Sequence, residues 1–140
     1  MKLITRDTDY ALRALCFIAR RKKEKFSVVQ LNRQLHVPRP FLRKILQLLN
    51  KKKILKSIKG QGGGFLLVKN PEKISLTDVM RIFQGRLRLN ECTLNKLICP
   101  NLRICLLRRS ILKIERYVLG ELSSINVASL LIKHGQKKNY

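Results

Sequence analysis

Apolar side chains recur at helical spacing near the start of the chain, where Ala11, Leu12, Ala14, Leu15, Ile18 and Ala19 share one face of a 3.6-residue repeat. Thr5 is placed to cap this first helix, and Asp7 and Asp9 lie in its first turn, where negative charge suits the helix dipole. The stripe ends in a basic cluster at residues 20–23. Ser27 caps a second, short helix carrying Val28, Leu31 and Leu35. The run His36-Val37-Pro38-Arg39-Pro40 interrupts it, and Phe41, Leu42, Ile45, Leu46 and Leu49 mark a third. Two short helices about a tight turn predict a helix-turn-helix.

The pattern then changes. Residues 51–59, the tip Gly60-Gln61-Gly62-Gly63-Gly64 and the run Phe65-Leu66-Leu67-Val68 read as a strand, a glycine-rich turn and a returning strand. Asn70-Pro71 closes this hairpin, and Ser75-Leu76-Thr77-Asp78 opens a fourth helix with Val79, Ile82 and Phe83 inward, ending at Gly85. Residues 86 to about 102 carry no period. From Leu102 to about Leu122 a helical stripe returns through Leu106, Leu107, Ile111, Ile114, Val118 and Leu122, and a stripe of that length needs a partner surface, most simply its own copy. The predicted fold is mainly α, a winged helix-turn-helix with a two-stranded β-wing and a long C-terminal dimerisation helix. Residues 1–85 form the winged domain, 86–105 a cysteine-bearing loop, 102–123 the dimerisation helix and 124–140 a C-terminal tail.

Charge gives this fold a partner. Of 140 residues, 31 are Lys or Arg and 8 are Asp or Glu, a formal net charge of +23. Residues 1–70 carry +15 of it, so the first half is where a polyanion docks. With no Trp, a base-stacking surface for single strands lacks material, and duplex binding fits better. Charged residues break the amino-terminal segment and no apolar run approaches the ~20 residues of a membrane span, which predicts a cytoplasmic protein with no membrane partner.

Arg39, Arg43 and Lys44 stand near the start of the third helix on the face away from its apolar stripe, where a recognition helix meets base edges. Lys51, Lys52, Lys53 and Lys56 are placed to meet phosphates. Lys59 and Gln61 sit at the wing, with Lys59 poised for a minor groove. A solvated basic face is the plainer reading of such a run, but its place between a turn and a glycine-tipped hairpin favours DNA. The glycine loop is no P-loop, because Phe65-Leu66-Leu67 opens a strand where Gly-Lys-Ser/Thr would open a helix. Its glycines suit positive φ angles and a close approach to a sugar-phosphate backbone. Cys92, Cys99 and Cys105 leave gaps of six and five residues within one loop, and three thiolates can grip a soft metal centre. Zinc usually takes cysteines in closer pairs, an iron-sulfur cluster can be wrapped by longer gaps, and incidental packing of small apolar side chains is the third reading. Cys16 falls on the apolar face of the first helix and reads as core. His36 and His134 read as exposed polar residues.

Together these residues resemble the IscR and NsrR family of winged-helix iron-sulfur transcription regulators. The resemblance rests on Met1-Lys2-Leu3 with Asp9-Tyr10-Ala11-Leu12-Arg13-Ala14-Leu15, on residues 60–67, on Ile74-Ser75-Leu76-Thr77-Asp78-Val79 and on the three cysteines in order, and it covers nearly the whole chain. It implies a homodimer crossed by the long helix and bound to an imperfectly palindromic double-stranded DNA operator. It also implies a cluster, [4Fe-4S] in preference to [2Fe-2S], held by Cys92, Cys99 and Cys105. In the NsrR branch an aspartate near the amino terminus of the other subunit completes the ligands, and Asp9 holds that place; its plainer role is the helix-start carboxylate. In the IscR branch a histidine follows the last cysteine by three residues, and here Arg108 stands there, so the NsrR-like arrangement is the better match. The implied function is a repressor sensing nitric oxide, redox or iron-sulfur status, and not an enzyme. The alternatives are the same fold with zinc or thiol sensing, or a nonspecific basic nucleic-acid-binding module.

Overall fold

The computed structural model describes residues 2–21, 23–89 and 99–131. Helix α1 (Arg6–Arg20) is capped by Thr5, whose hydroxyl accepts the Thr8 N–H, and buries Ala11, Ala14, Leu15, Ile18 and Ala19. Helix α2 (Val28–Leu35) opens with a reciprocal capping box between Ser27 and Gln30, which satisfies two otherwise orphaned amides. It ends at His36 in the left-handed region, φ 53°. Helix α3 (Arg39–Lys51) buries Leu42, Ile45, Leu46 and Leu49 against α1 and α2.

Strands β1 (Leu55–Ile58) and β2 (Gly64–Leu67) pair antiparallel, Leu55 opposite Leu67 and Ile58 opposite Gly64. A single 3₁₀ turn (Pro71–Lys73) leads to α4 (Leu76–Gln84), capped by Ser75, and α5 (Leu106–Ser124) follows the loop. The main core lies between α1, α2, α3 and the root of the wing, and a smaller cluster of Leu76, Met80 and Leu122 joins α4 to α5. Each fully buried Leu of the core is worth roughly 1.5–3 kcal/mol.

The structure departs from the sequence pattern at five places. α3 begins at Arg39, before Pro40, because Pro at the second helical position has no intrahelical amide bond to lose. Phe41, expected inward, is 47% exposed, since it lies about 100° off the buried stripe. Lys51 still belongs to α3, the chain turns at Lys53 with φ 58°, and β1 is confined to four residues of the expected run. α5 starts at Leu106 rather than Leu102, with Cys105 as its cap. The expected tail does not hang free over its described part. Ile125 accepts the Leu76 amide at 2.8 Å, Val127 donates to Ile74 at 2.9 Å, and the Val127 side chain is fully buried in the main core.

Within this chain the apolar side of α5 is largely uncovered. Leu106, Leu107, Ile114 and Tyr117 are 74, 67, 51 and 70% exposed. Among the described residues no helix is long and apolar enough to cross a membrane.

Candidate nucleic-acid interface and cysteine loop

The face of α3 opposite its buried stripe carries Pro40, Lys44, Gln47 and Lys51, which recur at helical spacing, with Phe41 and Arg43 on its flanks. Arg39, Arg43, Lys44, Lys51, Lys52, Lys53, Lys56, Lys59 and Gln61 are all exposed. The only ion pair among the described residues is Arg13 with Asp9 at 2.9 Å, so no described carboxylate pairs with any of these cations. Gln47 escaped the sequence reading because attention went to charge; its position three residues after Lys44 was the available signal.

Two asparagines set the geometry of this surface. The Asn32 side chain donates to the Val37 carbonyl at 2.7 Å and accepts from Arg39 Nε at 3.4 Å, which ties α2, the turn and the start of α3 together. Asn50 Oδ1 accepts the Ser57 amide at 3.0 Å and so fixes the wing to the end of α3. Neither asparagine has a sequence motif that announces it.

The wing glycines divide by role. Gly60 and Gly62 adopt φ 98° and 68°, as the turn demands. At Gly63 and Gly64 there is also a close approach to the protein's own backbone. A Cβ at Gly64 would sit 2.6 Å from the Phe26 carbonyl oxygen, and one at Gly63 would collide with the Ile58 carbonyl. The approach at Gly64 accompanies a bridge in which Phe26 and Phe65 exchange amide bonds at 3.0 and 2.8 Å.

Of the cluster candidates, Cys92 lies outside the described residues, with the rest of residues 90–98 of the loop. Cys99 and Cys105 are free, half-buried thiols. Cys105 is the N-cap of α5 and its Sγ accepts the Arg108 amide at 3.4 Å. The first turn of α5 holds Arg108 and Arg109 and no acid, so cations crowd the positive end of the helix dipole. The cysteine sulfur at this point is a soft donor, and the donor chemistry fits an iron-sulfur or other soft metal centre. No three His, Cys, Asp or Glu side chains converge on one point among the described residues. Asp9 sits in the first turn of α1, bonded to Arg13 on its own helix, so both its helix-start role and an outward approach by a second copy are open to it. Cys16 packs against the main core, and burial pushes its thiol up from 9.0 while Arg20 pulls weakly the other way. His36 is exposed at the α2 terminus; His134 lies outside the described residues.

The segment leading into the loop is anchored at two points. Leu89 donates its amide to Glu115 Oε2 of α5 at 3.0 Å, and Leu87 packs with Val118 and Ile125 around the smaller cluster. Just upstream Gln84, the last residue of α4, takes the Thr5 amide at 3.0 Å and the Thr8 hydroxyl at 2.7 Å through Oε1, and gives Nε2 to the Leu3 carbonyl at 2.9 Å. Sequence reasoning passed over Gln84 and Glu115, because their partners lie far away along the chain.

The chain is similar to proteins named as transcriptional regulators. NsrR of Geobacillus kaustophilus is 30% identical over 130 residues, 91% of this chain and 88% of its own length. NsrR of Shouchella clausii is 34% identical over 90 residues, 64% of this chain. That second alignment spans about three fifths of the relative's length, as does one with an HTH-type regulator of Aquifex aeolicus. Among solved structures, CymR, the global cysteine regulator of Bacillus subtilis, superposes with a TM-score of 0.76 at 21% identity, covering 93% of this chain and 96% of that one. IscR of T. potens superposes at 0.69 and 20% identity, covering 93% and 85%. At those identities the structural likeness is one of fold. The family model described as Rrf2, iron-dependent transcriptional regulator, matches residues 4–133, and the chain belongs to the Rrf2 family of transcriptional regulators.

Proposed function

We propose that this chain is a homodimeric, operator-specific repressor whose DNA affinity is set by an iron-sulfur cluster, [4Fe-4S] in preference to [2Fe-2S], held by Cys92, Cys99 and Cys105 with Asp9 from a second copy. The observation that carries the reading is Cys105: its sulfur caps α5 at the junction of the cysteine loop and a helix whose apolar side is open. NsrR-named relatives at 30% identity or more lend it support.

Arg39, Arg43, Lys44 and Gln47 face base edges in this reading, and Lys51, Lys52, Lys53, Lys56, Lys59 and Gln61 face phosphates and the minor groove. Two copies joined along α5 present two such surfaces to successive major grooves, about 34–36 Å apart. When bound, the cluster supplies an iron open to nitric oxide or oxygen. The chain's own part is transmission: Glu115 and Leu87 link the segment entering the loop to α5, and Gln84, just upstream, links it to the start of α1. Loop states that differ in geometry then differ in the spacing of the recognition helices, and only such a difference can couple a signal to operator affinity.

Anaerobic purification and reconstitution test this. Wild type and Cys16→Ala should show the absorption of a cluster with matching iron and sulfide, and Cys92→Ala, Cys99→Ala and Cys105→Ala should each lose it. A colourless, iron-free wild type that still binds its operator in a thiol-dependent manner would replace the cluster with thiol chemistry.

A further inference from the structure

The turn between α1 and α2 carries Lys23, Glu24 and Lys25, and nothing above gives it a role. It faces the wing tip across an open groove of about 680 Å³ bounded by Lys23, Glu24, Lys25, Gln30, Gly60 and Gly62, where two cations outnumber one carboxylate. An open groove of that size admits a stretch of extended chain. We propose that this groove is a second backbone-phosphate site, which grips the sugar-phosphate strand beside the wing and extends the DNA footprint beyond the recognition helix. The inference rests on the DNA-binding reading above.

Three features support it. First, the turn is tied to the wing at Phe26. Phe26 is hydrogen-bonded to Phe65 of β2 in both directions, and Gly64 lies against the Phe26 carbonyl, so a surface that meets the wing tip also meets Lys23 and Lys25. Second, the anion-binding groups are the lysines and not the α2 terminus. The Ser27 amide is taken by Gln30 Oε1 at 2.8 Å and the Gln30 amide by Ser27 Oγ at 3.2 Å, so the capping box has already consumed those donors. Lys23 and Lys25 are exposed and in no ion pair among the described residues. Third, the opposite wall is built of Gly60, Gly62 and Gly63, which have no side chains to hold a polyanion off. Lys23 adopts φ 69°, a conformation costly to a side-chain-bearing residue, and it holds the turn so that Glu24 donates its amide to the Arg21 carbonyl at 3.2 Å.

Each lysine–phosphate contact releases about 0.9 counterion from B-DNA, so the test is the salt dependence of binding. Wild type, Lys23→Gln/Lys25→Gln, Lys52→Ala and Lys73→Gln/Arg81→Gln are titrated with an operator fragment and with random duplex. The last variant is the charge-matched control; Lys73 is exposed just before α4, Arg81 is exposed on α4, and α4 packs mainly on α1 and α5. The groove variant should lower the salt slope by roughly 1.8 units on both duplexes. The ratio of wild-type to variant affinity should therefore fall about tenfold between ~50 and ~200 mM salt, with base preference unchanged. Glu24→Gln should strengthen binding to every duplex. An unchanged slope in Lys23→Gln/Lys25→Gln beside a reduced slope in Lys52→Ala overturns the groove and leaves the regulator reading intact. A slope reduced equally in the control assigns the effect to net charge and also overturns it. If wild type shows no preference for operator over random duplex, it is the regulator reading that falls.

Discussion

Replacing Gln84 with Ala removes three hydrogen bonds that close the winged domain on the start of α1. Two of them, from the Thr5 amide and the Thr8 hydroxyl, are partly buried, and Thr8 is the only fully buried polar side chain among the described residues. The third, to the Leu3 carbonyl, lies at the exposed end, and water replaces it at little cost. At a net ~1 kcal/mol for each partly buried bond, the expected loss is about 2 kcal/mol. Once Gln84 is gone, Thr8 retains only the Thr5 hydroxyl at 3.1 Å. Thr8→Val alone strips a partner from Gln84, whereas Thr8→Val with Gln84→Ala removes both ends of the bond. Urea unfolding at a fixed protein concentration, so that any dimer contribution is constant, should give a coupling of about 1 kcal/mol in the cycle. Additivity within ~0.3 kcal/mol would refute the claim that Gln84 and Thr8 form one unit. It would also leave the loop without its link to α1.

Arg43→Ala should cost roughly 1–3 kcal/mol at the operator and relax preference at particular base pairs, as gel-shift competition with base-substituted fragments would reveal. Lys52→Ala should weaken all duplexes alike and lower the salt slope by about one unit. Gly64→Ala forces backbone against backbone at Phe26; thermal unfolding should show a marked loss of stability, whereas Gly85→Ala, with open space around its Cβ position, is limited to the strain of its φ of 78°. The raised thiol of Cys16 predicts a pH effect: the unfolded chain ionises near 9.0 while the folded one holds its proton, so stability falls as pH climbs above 9.0. Cys16→Ala should flatten that fall in pH-dependent denaturation, and an unchanged curve would assign it to other groups.

Much of the fold was legible because local chemistry and packing agree. Thr5, Ser27 and Ser75 cap the helices they were expected to cap, and the stripes through Leu15, Leu31, Leu46 and Val79 are the buried ones. What could not be read depends on partners distant in sequence or on tertiary choice. Phe41 is apolar and adjacent to Leu42, yet helix geometry turns it outward. Val127 looks like part of a tail until Ile74 takes its amide. Asn50, Gln84 and Glu115 are ordinary polar residues whose roles exist only once the wing, α1 and the loop are in place. The candidate DNA face was visible as charge, whereas Lys23 read as part of the basic end of the first helix and Lys25 carried no signal; the Phe26 bridge sets them beside the wing. The cysteines were legible as a spacing, and Cys105 acquired its helix-capping position only in three dimensions.

The central claim is that the state of the cysteine loop sets operator affinity. The direct measurement is an anaerobic titration of one fluorescent operator fragment with the same preparation before and after chelation of its iron, at fixed salt, with Cys99→Ala as the form that cannot reload. The account predicts that loaded and stripped protein differ in operator affinity by about fivefold or more, the lower end of ordinary allosteric coupling. It also predicts that their affinities for random duplex agree, and that Cys99→Ala binds like the stripped form throughout. Identical operator curves for loaded and stripped protein would contradict it.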